Sequence, residues 1–142
     1  MRLLYLTPLL LLVVVLAGCS AAPAAAPTAS PVAPPQTRNL PADIDVAKAE
    51  SLRGQPDVVM LDVRTPEEYA QGHIPGVVLI PLDQVPNRLA EIPKDKTVIV
   101  TCHSGNRSNQ AAQLLRQKGY DNIHNMLGGI VAWEKAGYPV EK

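Results

Sequence analysis

Cysteine is scarce in this 142-residue sequence, which holds only Cys19 and Cys102. Two thiols leave no material for a disulfide framework, so the position of each becomes informative. An excess of charge is missing as well. Thirteen basic side chains balance 13 acidic ones, so nothing suggests a nucleic-acid surface, and nucleic acid is not expected as a partner. The apolar run from Leu9 to Ala17 falls short of the ~20 residues that a membrane-spanning helix needs, and Pro8 would interrupt such a helix. There is no internal repeat. The three histidines, His73, His103 and His124, are dispersed and lack metal-ligand spacing. No metal or other cofactor is expected.

What the first residues do have is the pattern of an export signal. Arg2 supplies one positive charge, the short apolar core follows, and small residues close it. Its end, Leu16-Ala17-Gly18-Cys19, resembles the bacterial lipoprotein box, which implies that Cys19 is lipidated and becomes the first mature residue. Stable anchoring by several acyl chains would follow. From Ser20 to about Pro41, Ala, Pro, Ser and Thr dominate. Such a stretch has few large apolar groups to bury, and its prolines favour extended conformations suited to a spacer. The expected organisation is therefore a signal peptide over 1–18, a lipidated Cys19 and linker over 19–41, and one domain over 42–142. An exported, membrane-anchored monomer on the periplasmic or extracellular face is expected. With Cys19 lipidated, Cys102 is the only thiol left, and its polar, glycine-containing segment gives it the wrong neighbours for a lone cysteine buried as a small hydrophobe.

The roughly one hundred residues from Ala42 onward match the usual size of a single domain. Val58–Leu61, Val77–Ile80 and Val98–Val100 are short continuous apolar runs, the pattern of strands buried on both faces in a parallel sheet. Asn122–Met126 is a weaker fourth strand, and a short fifth lies near Ile44. Helices are expected over Asp45–Leu52, from Thr65 to Gly72, over Leu82–Ile92 despite Pro86, over Ser108–Lys118, and over Ile130–Ala136. Thr65-Pro66-Glu67-Glu68 is a capping box with proline at the first helical position. Alternating strands and helices predict an α/β fold of three layers, with a mostly parallel sheet of about five strands flanked by helices.

In such sheets ligands bind beyond the carboxyl ends of the strands. Cys102-His103-Ser104-Gly105-Asn106-Arg107 is a strand-to-helix loop with a cysteine at its head. Inward-turned N–H groups can form an anion nest there, and the next helix adds its positive end. Both favour a thiolate and lower the thiol pKa. Gly105 allows the dihedrals that a cradle needs, and Arg107 brings a fixed charge whose fork suits oxyanions.

The Cys-x-x-Gly-x-Arg-Ser pattern of Cys102 to Ser108 resembles the active-site loop of rhodaneses. Leu61-Asp62-Val63-Arg64-Thr65-Pro66-Glu67-Glu68-Tyr69, Gly72-His73-Ile74-Pro75-Gly76-Val77 and Gly128-Gly129-Ile130-Val131-Ala132-Trp133 are similar to other segments of that family, in its order, across 42–142. The resemblance implies a sulfur relay of the thiosulfate sulfurtransferase type. Cys102 would take the outer sulfur of a small sulfur-containing anion, thiosulfate or a persulfide, and pass it to a thiol or to cyanide. The loop's six residues from Cys102 through Arg107 match the sulfurtransferases, whereas the related phosphatases and arsenate reductases have a loop one residue longer. A non-catalytic sulfur- or anion-binding module is the competing reading. Two positions depart from the family: His103 stands where many members have a fixed cation, and Val77 stands where the family has alanine.

The candidate site is thus Cys102 as nucleophile, with Arg64, His103, Ser104, Gly105, Asn106, Arg107 and Ser108 binding substrate. His103 is read as a loop donor rather than a base. Arg64 either receives the incoming anion or pairs with a carboxylate, with substrate positioning slightly favoured. Asp62 is expected to brace Arg64 or backbone amides, and His73 to orient backbone between a helix and a strand. Thr65 and Ser108 are helix caps by spacing, Ser108 also being placed to donate to the sulfur. Tyr69 and Trp133 are core candidates, and His124 carries no signal.

Overall fold

The computed structural model of the protein describes residues 38–142. The residues expected to form the export signal, Cys19 and nearly all of the expected linker lie outside the described residues. Five strands and four α-helices follow one another as β1 (Asp43–Ile44), α1 (Val46–Leu52), β2 (Val58–Asp62), α2 (Pro66–Gln71), β3 (Val78–Leu79), β4 (Thr97–Thr101), α3 (Asn106–Gln117), β5 (Ile123–Met126) and α4 (Gly129–Lys135). The strands form a single sheet in the order β1-β5-β4-β2-β3, and every pairing is parallel. This is the three-layer α/β arrangement that the sequence predicts.

Strand periodicity builds the two outer layers. Side chains alternate across a strand, so Val98 and Val100 of β4 face one cluster and Ile99 faces the other. The first cluster joins Leu61 and Val63 to Ala111, Ala112 and Leu115 of α3. The second joins Met60 to Ala49 and Leu52 of α1 and to Trp133 of α4, with Tyr69 of α2 packed at its side. All five residues of the central strand β4 are buried. A strand enclosed on both faces reads as an unbroken apolar run.

Local chemistry sets the helix starts. Asp45 caps α1 by accepting from the Lys48 N–H at 2.7 Å. At α2 the capping box is complete: the Thr65 hydroxyl accepts from the Glu68 N–H, and the Glu68 carboxylate accepts from the Thr65 N–H.

Two elements differ from expectation. Leu82–Ile92 is not one helix but two 3-10 turns, Val85–Asn87 and Leu89–Glu91. Pro86 has no N–H to give to the Leu82 carbonyl, and neither turn has a side-chain cap. Pro93 then forces Ile92 into extended backbone, φ −96° and ψ 118°. The second difference matters more. Helix α3 starts at Asn106 rather than Ser108, with Gly105 as its N-cap in the left-handed conformation, φ 98°. Ser108 is therefore not a cap; it sits inside the first turn, where its hydroxyl faces the loop.

Candidate active site

Strand β4 delivers Cys102 to the carboxyl edge of the sheet, and its side chain continues the inward face of Val98 and Val100. It is 1% exposed and packs with Leu61, Val100 and Ala111 on one side. That differs from the expectation of a thiol kept out of apolar company, because the period of two carries the core face one residue past the end of β4. The other side of the sulfur is polar. The Gly105 N–H donates to Sγ at 3.1 Å, and the Ser108 hydroxyl lies 3.4 Å from it. Burial pushes the thiol pKa up, but the Ser108 hydroxyl and the N–H groups of Ser108, Gly105 and Ser104 pull it down further. The net displacement is below an ordinary thiol, in the direction of a nucleophilic thiolate.

The loop can present N–H groups to the sulfur because its carbonyls are engaged elsewhere. The Ile130 N–H donates to the Cys102 carbonyl at 2.8 Å, and the Val131 N–H donates to the His103 carbonyl at 3.2 Å. These are amides of the first turn of α4, which have no partner within their own helix. The approach demands glycine. A Cβ on Gly129 would collide with the Cys102 carbonyl oxygen and stand 2.5 Å from the His103 carbonyl carbon. On Gly105 it would stand 3.0 Å from the Gly128 nitrogen, with φ in the left-handed region as well.

A buried polar chain lies behind the sulfur. Ser108 Oγ is 2.7 Å from Asn125 Oδ1, and Asn125 Nδ2 donates to Asp43 Oδ1 at 2.9 Å. Asn125 is 2% exposed, and the sequence reading gave it no role. Its one signal was a polar residue within an apolar strand pattern, which a buried amide tolerates only with partners.

The arginines are committed. Arg64, 4% exposed, pairs with Asp62 at 2.7 Å and donates to the carbonyls of Glu68 and Gly72. It does reach the cleft beside His103, but of its two expected roles carboxylate pairing is the one displayed. Asp62 also accepts from the Arg64 N–H at 3.0 Å. Arg107 is not an open anion receptor: its two terminal nitrogens lie 2.7 and 2.6 Å from the two oxygens of Glu68. The Arg107 hydrogen bond, outweighing the effect of burial, lowers the Glu68 carboxyl to about 2. Sequence reasoning saw Glu68 only as part of a capping box.

The remaining expected residues fall in two groups. His103, Ser104 and Asn106 are exposed at the rim. His73 does not line the cleft beside the loop; its ring stacks on Tyr69 at 3.7 Å, and its backbone pairs with Glu141 in both directions at 2.8 Å. His124 is buried with Nδ1 2.7 Å from the Pro41 carbonyl.

A cleft of about 340 Å³ opens at this edge, lined by Arg64, Glu68, Gln71, Gly72, His103 and Glu134 among others. A larger, more apolar depression of about 440 Å³ lies at the amino ends of β2 and β3, beside Val58 and Val78. Cys102 lines neither depression, but the smaller one borders its loop through His103 and so lies on the sulfur's side of the sheet. Among the described residues no group of three or more His, Cys, Asp or Glu side chains is placed to hold a metal.

Comparison with known proteins agrees with this fold. Residues 45–136 match the Rhodanese-like domain. A sulfurtransferase of Allochromatium vinosum is 45% identical over 92 residues, covering 65% of this chain and 86% of that one. The thiosulfate sulfurtransferase GlpE of Pseudoalteromonas translucida is 34% identical over 93 residues, covering 66% and 89% respectively. The crystal structure of a rhodanese-related protein from Thermoplasma volcanium is similar with a TM-score of 0.65 at 34% identity, covering 70% of this chain and 96% of that one.

Proposed function

The chain belongs to the rhodanese-like family, and we propose that it is a sulfurtransferase carrying sulfur as a persulfide on Cys102. The relatives named as sulfurtransferases support the reaction class. The observation that carries the assignment to Cys102 is the cradle: a buried sulfur receiving the Gly105 N–H at 3.1 Å, with its thiol pKa lowered despite burial.

In the first half-reaction the Cys102 thiolate attacks the outer sulfur of thiosulfate or of a persulfide. The new S–S bond forms as the donor's own S–S bond breaks, and sulfite or a thiolate leaves with the electron pair. In the second, a thiolate or cyanide attacks the outer sulfur of the Cys102 persulfide, and the Cys102 thiolate departs. Both are steps of covalent catalysis. The cradle N–H groups face a charge that resides on sulfur before, between and after the two steps, much as an oxyanion hole faces oxygen.

Multiple-turnover formation of thiocyanate from thiosulfate and cyanide, or of an acceptor persulfide from a donor persulfide, tests this reading. Turnover by the protein and none by Cys102→Ala supports it. Loading of one sulfur without turnover would favour a carrier that hands its sulfur to a bound partner, a reading to which the near-complete burial of Cys102 lends weight.

The N-terminal pattern extends the proposal to place. Cys19 at the end of an export signal supports a lipid-anchored protein on the far side of the membrane that it crosses. Metabolic labelling with palmitate, present in the full-length protein and lost in Cys19→Ala, checks it.

A further inference from the structure

We propose that Glu68 is a specificity-determining residue that, by filling the fork of Arg107, turns the site from dianionic donors such as thiosulfate toward persulfides of low net charge bearing an amino group. The inference rests on the sulfurtransferase reading and concerns only which donor reaches Cys102.

The argument is one of uncommitted charge. A dianion is held by cations whose charge is not already cancelled. Arg107 is the fixed cation in the loop itself, and both of its terminal nitrogens lie against the Glu68 oxygens. Glu68 is in turn held from behind, because one of those oxygens also accepts from the Thr65 N–H at 3.1 Å. The carboxylate is thus held at the start of α2 by two partners, the Arg107 fork and the Thr65 N–H. Arg64 is cancelled in the same way by Asp62. The exposed Glu134 lines the cleft and makes no salt bridge among the described residues. With Arg64 paired to the buried Asp62 and Arg107 to Glu68, Glu134 is the carboxylate left uncompensated among the described residues that line the cleft. The balance is negative before the Cys102 thiolate is counted.

What remains to attract an anion is the set of cradle N–H groups, together with His103 when protonated. The N–H groups suit one sulfur-borne charge. They do not offset the repulsion that a second charge on a sulfonate meets from Glu68 and Glu134. An ammonium group, by contrast, finds Glu134 free to receive it. A small aminothiol persulfide, with cysteine persulfide as the probe, combines the sulfane sulfur that the reaction needs with the cation that the cleft accepts.

The experiment is single-turnover loading of Cys102 in the full-length protein, followed by intact mass against donor concentration, for thiosulfate and for cysteine persulfide. The wild-type protein is expected to load more efficiently from the persulfide. Glu68→Gln keeps an oxygen for the cap but removes the charge that cancels Arg107. It is expected to narrow that preference about tenfold, as one unit charge released near a dianion would, through a lower half-saturating thiosulfate concentration rather than a faster maximal rate. Glu134→Gln, on an exposed side chain, is the second variant; it is expected to weaken loading from the persulfide and to strengthen it from thiosulfate. A wild-type preference for thiosulfate, or ratios unaltered in both variants while both donors still load, would overturn the inference and leave the sulfurtransferase reading standing. Loading from neither donor, in any of the three proteins, would remove both.

Discussion

Ser108 Oγ lies 2.7 Å from Asn125 Oδ1 and 3.4 Å from Cys102 Sγ. The hydroxyl also lies 3.0 Å from the Gly105 carbonyl, and it has one proton to share among three acceptors. Asn125 cannot offer its amino group instead, because that group donates to Asp43. The Ser108 proton is therefore divided between the amide behind it and the sulfur in front. Ionisation of Cys102 draws it forward, since hydrogen bonds to charged acceptors are the stronger ones.

Ser108→Ala removes that donor while leaving the Gly105 N–H in place. The thiol pKa of Cys102 is expected to rise, because the Ser108 hydroxyl is the foremost of the groups that lower it. Iodoacetamide alkylation followed across pH measures this. The curve should move to higher pH, and alkylation on the acid side should slow roughly tenfold, the scale of one hydrogen bond to a charged group.

The Arg107–Glu68 pair makes a prediction for stability. In the folded protein the Glu68 carboxyl is lowered from 4.5 to about 2. A carboxyl depressed in this way contributes stability above its unfolded value and loses it as pH falls through the folded one. Both side chains are about a third exposed, so water screens the pair and its contribution is about 1 kcal/mol. Urea unfolding of Glu68→Gln should show that deficit near neutral pH. The deficit should shrink between pH 4.5 and about 2, whereas a deficit constant across the range would mean that the pair contributes nothing.

Much of this molecule is legible in its sequence. The apolar runs that become β2 and β4 and the turn chemistry at Thr65–Glu68 are local signals, and local structure obeys them. The period of two that runs Val98, Val100, Cys102 also announces a buried sulfur, although the polar residues after it argue the opposite; the strand's direction decided the matter. The partners of Arg107 and Ser108 are a different case. Glu68 lies 39 residues from Arg107 and Asn125 lies 17 from Ser108, and only the crossover topology brings them together. The Leu82–Ile92 segment shows a third kind of difference. Its apolar spacing is helical and packs as such, with Val85 and Ile92 in the core, but Pro86 withholds the one N–H that a continuous helix requires.

The contact between Gly129 and the loop is equally testable. Gly129→Ala combines a left-handed φ of 56° with a Cβ 2.5 Å from the His103 carbonyl carbon. It should cost about 2–4 kcal/mol in urea unfolding, the range of overpacking together with backbone strain, and abolish sulfur loading by displacing Cys102. Gly137→Ala shares the positive φ, 78°, but meets nothing within 4 Å. It should cost about 1 kcal/mol and leave loading intact.

Access to Cys102 follows from its 1% exposure. A small reagent such as iodoacetamide should modify it much faster than a maleimide carrying a large dye, and unfolding should remove the difference. Equal rates for the two reagents in the folded protein would show a sulfur more open than this cradle.

The account depends most on a sulfur atom taken up by Cys102 itself. Intact-mass analysis after incubation with thiosulfate or cysteine persulfide, followed by peptide mapping, measures that directly. The predicted result is a gain of one sulfur on the peptide containing Cys102, lost on addition of cyanide and absent in Cys102→Ser. The same gain in Cys102→Ser, or no gain in the unaltered protein with either donor, would contradict it.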